Sequence, residues 1–95
     1  MQRAPLDEAG ADLDRLVRRL RGLSPRAWQT AGRRAAVHRL LEQLAALSAP
    51  DHRLPELPDF ALADAVAVLG HDALADPAHA EGAAQLLRDA LDHTK

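Results

Sequence analysis

The chain has almost nothing from which to build a β-sheet. It holds four valines and no isoleucine, one tryptophan, one phenylalanine and no tyrosine. Strands draw on β-branched and aromatic side chains, whereas alanine, leucine and arginine are strong helix formers. Twenty-one alanines, seventeen leucines and eleven arginines in 95 residues therefore predict an all-α fold. The core must be leucine and alanine, so the helices must pack closely. A chain of this length suits one domain.

The periodicity predicts four helices, over about residues 6–21, 25–47, 60–74 and 77–93, in a small four-helix bundle or array. In the first, Ala9, Leu13, Leu16, Val17, Leu20 and Leu23 recur at the spacing of one helical face. Acids crowd its start and Arg15, Arg18, Arg19 and Arg21 its end, which suits the helix dipole, and Asp14 and Arg18 are spaced to pair at i,i+4. Gly22 is a natural stop, Ser24 an N-cap and Pro25 a first helical residue.

The second helix is expected to be the longest, about 35 Å at 1.5 Å per residue. Its two halves do not share a face. Val37, Leu40, Leu41, Leu44 and Leu47 lie on one side, and Trp28, Ala31, Gly32 and Ala35 on nearly the opposite side. A mid-helix glycine costs about 1 kcal/mol relative to alanine, so Gly32 suggests a second helix packed close against it. The segment APDHRLPELP, residues 49–58, carries three prolines and reads as an irregular connection pinned by Leu54 and Leu57. Asp59 is placed to cap the third helix. From Phe60 to Leu69 that helix carries one polar residue, Asp64, a pattern expected of a central helix. Asp76-Pro77 repeats the cap-plus-proline start ahead of the fourth, whose stripe is Ala80, Ala83, Ala84, Leu87, Ala90 and Leu91.

The net charge of −2 conceals an asymmetry. Residues 1–48 hold nine arginines and five acids; residues 49–95 hold three basic residues and nine acids. Two such halves are expected to attract each other as they fold together. There is no cysteine, hence no disulfide and no thiolate metal site. The N-terminus lacks the apolar run of a signal peptide, and no segment approaches the ~20 apolar residues a membrane span requires. A soluble cytoplasmic protein without a membrane role is expected.

Few residues carry chemistry. His71, Asp72, Asp76 and His79 gather near one corner, but adjacent helical residues point about 100° apart and no metal-binding spacing is present. Gly70-His71-Asp72 reads as the end of a helix leaving the core, with Gly70 allowing a neighbour to approach or marking a bend. Asp89 and His93 read as a solvated pair at i,i+4. The only hydroxyls are Ser24, Thr30, Ser48 and Thr94. There is no nucleophile elbow and no phosphate-binding glycine loop, so neither a catalytic residue nor a cofactor is expected.

The expectation is instead a protein–protein interaction or dimerisation module, with a homodimer or another protein as partner. Its interaction residues would be Trp28, Ala31, Gly32 and Ala35, flanked by Arg33 and Arg34, because tryptophan and arginine are enriched at binding hot spots. The alternative is a nucleic-acid-binding or regulatory protein using the arginine-rich face of helices 1 and 2. Against it stand a pI near 6.2 and the scarcity of aromatics to stack on bases.

Overall fold

A computed structural model describes residues 5–30, 32–48, 54 and 57–93. The described residues are all-α, with five helices: α1 (Pro5–Arg21), α2 (Pro25–Trp28), α3 (Arg33–Ser48), α4 (Asp59–Ala75) and α5 (Ala80–His93). The long second helix expected over 25–47 is broken into α2 and α3. Ser24 Oγ accepts from Ala27 N at 3.1 Å and Pro25 takes the first position, as the sequence indicates. The helix then stops after one turn for local reasons. Thr30 Oγ1 turns back onto Arg26 O at 2.9 Å, a hydrogen bond that competes with helical geometry. Gly32 adopts φ 68°, a left-handed conformation that only glycine takes without strain. Arg33 Nη1 donates to Ala27 O at 3.0 Å, satisfying a carbonyl at the helix end. The mismatch of faces between 28–35 and 37–47 is the mark of this break. Among the described residues nothing packs close to Gly32: a Cβ there would meet none of their atoms within 4 Å.

Four helices form the body. α4 packs against α1, α3 and α5, and α5 also packs against α1 and α3. The apolar stripes point inward as their spacing requires. Leu13, Leu16 and Leu20 of α1, Leu41 and Leu44 of α3, Leu62 and Val66 of α4, and Leu87 of α5 are essentially inaccessible. Each such side chain removed from water contributes about 1.5–3 kcal/mol before the opposing entropy of folding. Leu54 and Leu57 pack on the core from the connection, as expected of them, while most of 49–56 lies outside the described residues.

Gly70 sets the closest helix approach. A Cβ there would stand 2.7 and 3.0 Å from the two methyls of Leu13, itself fully buried, so the absence of a side chain lets α4 settle onto α1. The structure is only 18 Å across its thinnest dimension. Two helical layers, each about 10 Å thick, account for that depth. Every helix therefore keeps one face towards solvent.

Candidate functional site

Of the six residues expected to form an interaction face, the five that are described are not brought together as one. Trp28 is 5% exposed and belongs to the hydrophobic core. Ala31 lies outside the described residues. Gly32 and Ala35 are exposed on either side of the start of α3. Arg33, half-buried, is turned to the end of α2. Arg34 reaches α4, where its Nε and Nη2 donate to the two carboxylate oxygens of Asp59 at 2.6 Å each. Asp59 is thereby the first residue of α4 and an ion-pair partner, and not the cap that its position suggests. Pro58 occupies the cap position, without a side-chain cap hydrogen bond.

The split charge is partly paired within the chain. Arg21 of α1 meets Asp64 of α4 at 2.7 Å, and Arg34 of α3 meets Asp59. Arg19 Nη1 donates to Leu91 O of α5 at 3.2 Å. In the reverse sense Arg88 of α5 lies 3.6 Å from Asp12 of α1, a buried carboxylate. Part of the arginine-rich face of the first half is thus committed to partners in the second. Asp14 and Arg18 are not joined by an ion pair among the described residues. Both line a cleft of about 380 Å³ between α1 and α4, together with His71.

His71 and Asp72 are exposed at the last turns of α4, as the helix-end reading requires. Asp76 and His79 approach each other at 3.5 Å in the turn before α5. Asp76 also accepts from Ala78 N at 2.9 Å, and its backbone carbonyl from Ala80 N at 2.9 Å, so that residues 77–79 form a turn and α5 begins at Ala80. Among the described residues no three His, Cys, Asp or Glu side chains converge as a metal site would need. Asp89 and His93 do not pair through their side chains. His93 Nδ1 donates to the backbone oxygen of Asp89 at 2.7 Å, while the Asp89 carboxylate accepts from Gln85 Nε2 at 2.9 Å.

The surface that differs from its surroundings is the outer face of α4. Its buried positions are Leu62, Ala63, Val66, Gly70 and Ala73. The opposite side carries Phe60, 85% exposed, and Val68, 59% exposed, about two helical turns apart, with exposed Asp64 between them and half-buried Ala61 and Ala65 to one side. On α1, α3 and α5 the solvent side is mainly charged or amide-bearing: Arg15 and Arg18, Arg39 and Glu42, Gln85 and Arg88 are examples. The sequence signal for this face is the near-continuous apolar run from Phe60 to Leu69. It is a sign of a central helix only if another layer covers it. No helix among the described residues is long and apolar enough to cross a membrane. No protein-family model matches the chain, and no curated protein or solved structure is found to be similar to it.

Proposed function

We propose that this protein is a non-catalytic interaction module of the cytoplasm that forms a homodimer through the outer face of α4. The observation carrying this reading is Phe60, the only phenylalanine of the chain, standing 85% exposed on a face shared with Val68. Single exposed apolar residues are ordinary, but two large ones on the same face of one helix, separated by a single ion-paired aspartate, support an association surface. A two-fold axis is the commonest way to cover such a stripe, since each copy then supplies the same patch. Antiparallel pairing of α4 with its copy would set Phe60 of one chain beside Val68 of the other. The neighbouring Asp64 already has Arg21 beside it, which offsets the repulsion between the two aspartates near the axis.

Light scattering over a range of protein concentrations tests the reading. The expected result is a dimer whose melting temperature rises with concentration. The double change Phe60→Ser, Val68→Ser should give a folded monomer with that dependence lost. A wild-type chain that stays monomeric throughout, or a variant that remains dimeric, would overturn the assignment of this face.

A further inference from the structure

α3 and α5 run side by side but do not stay equally close. Near the end of α3 a Cβ on Gly82 would stand 3.5 Å from Leu47 Cδ2, an ordinary contact distance. Towards the beginning of α3 and the end of α5 the two helices bound an open groove of about 440 Å³. Its floor is apolar and buried: Leu16 of α1 is 1% exposed, with Val37 and Leu40 of α3 at 4% and 5%. Half-buried Leu86 and Ala90 form the α5 wall.

The rim is cationic on the α3 side. Arg39 is exposed and makes no ion pair among the described residues. Arg33 also lines the groove and gives only its Nη1 to Ala27 O, so its other guanidinium donors are uncommitted among the described residues. Across from them, His93 and Asp89 of α5 complete the rim. Asp89 is the single carboxylate there, and it is held by Gln85. Two guanidinium groups at one side of a leucine-lined floor match a ligand with one anionic end and one apolar end. The volume falls within the ~300–1,000 Å³ typical of small-molecule sites. The groove extends from Arg33 to Gln43, about 15 Å along the helix at 1.5 Å per residue.

We infer that this groove binds a free amphiphilic monoanion, a carboxylate carrying a medium-length alkyl chain, with the head at Arg33 and Arg39 and the chain over Leu16, Val37 and Leu40. Arginine suits the head because its planar fork meets both oxygens of a carboxylate. The site is independent of the outer face of α4. Arg33 also ties the groove to the carbonyl of Ala27 at the end of α2.

The test is a calorimetric titration of the full chain with decanoate below its micelle limit, against decylammonium as control. Saturable one-to-one binding of decanoate is expected, about tenfold or more tighter than decylammonium, the equivalent of one charge-assisted contact. Ala36→Trp, at an exposed position on the groove wall, should abolish binding with the fold retained. Should that variant melt early, exposed Arg39→Glu carries the same expectation. Phe60→Ser should bind decanoate as the wild type does, which separates this site from dimerisation. The proposal falls if decanoate does not saturate, if the two head groups bind equally, or if neither Ala36→Trp nor Arg39→Glu weakens binding. It falls equally if Ala36→Trp dissociates a dimer, which would make the groove a subunit interface, or if the protein binds only vesicles containing phosphatidylglycerol and no free decanoate.

Discussion

The two aromatic side chains of this protein have opposite fates. Trp28 closes a helix of four residues and is 5% exposed; Phe60 lies at the start of a helix of seventeen and is 85% exposed. The short helix is polar around its tryptophan, with Arg26 before it and Gln29 and Thr30 after it. The long one is the most apolar stretch in the chain. Local hydrophobicity would have ranked them the other way. Burial depends on whether an element has a neighbour on the side in question. Trp28, at the end of α2, enters the core, whereas α4, packed by three helices on one side, has none on the other among the described residues.

Substitutions can break that contrast or sharpen it. The largest effect is expected at Trp28. Replacement by alanine should cost about 3–5 kcal/mol, the usual loss for a buried aromatic, out of a typical total of about 5–15 kcal/mol. Urea denaturation measures it, and a loss below about 1 kcal/mol would show that Trp28 is not a core residue. Phe60→Ser in a monomeric background should change stability by no more than about 0.5 kcal/mol, as at other solvent-exposed sites.

The glycines give a second, finer comparison. Gly32 is open in space but bound to a left-handed backbone; Gly70 has ordinary helical geometry but no room. Gly32→Ala should lose about 1–2 kcal/mol, because a Cβ is strained at positive φ. Gly70→Ala should lose about 1 kcal/mol net, with overpacking against Leu13 costing about 1–3 kcal/mol and helix propensity returning about 1. Gly10 has neither constraint, being helical with nothing within 4 Å of a built Cβ, and Gly10→Ala should stabilise by about 0.5–1 kcal/mol. Thermal melts of the three variants would order them. A stabilising Gly70→Ala would mean that α1 and α4 are not in the close contact described.

Much of this was legible residue by residue. The stripe from Ala9 to Leu20, the leucines of α3 and the Ser24-Pro25 helix start follow from spacing and side-chain size, whereas Gly70 left a close approach and a bend both open. The break between α2 and α3 left two signs in the sequence, Gly32 and the change of face. Reading them as a close helix contact missed the turn, because a glycine suits both positive φ and close packing, and spacing does not distinguish them. Asp59 was ambiguous in the same way: an aspartate before an apolar run is a good cap, but Arg34 arriving from α3 takes both of its oxygens.

The candidate surfaces were less legible than the helices. The expected face around Trp28 treats the chain from 25 to 47 as one rod, whereas the described residues place Trp28 in the core and leave Gly32 and Ala35 exposed. The groove between α3 and α5 draws Arg33, Arg39 and His93 together from positions up to sixty residues apart, and no periodicity within one helix reveals that.

The sequence by itself determined that the chain is helical and which stripe of each helix is apolar, because helix propensity and 3.6-residue spacing are properties of neighbours along the chain. Only the tertiary structure decided which apolar residues are covered. It sent Trp28 inward and left Phe60 outside, set Arg21 and Arg34 against acids of the opposite half, and opened a groove where two helices part. Each of these depends on what lies across a gap from a residue, and a chain's own order does not specify what will stand there.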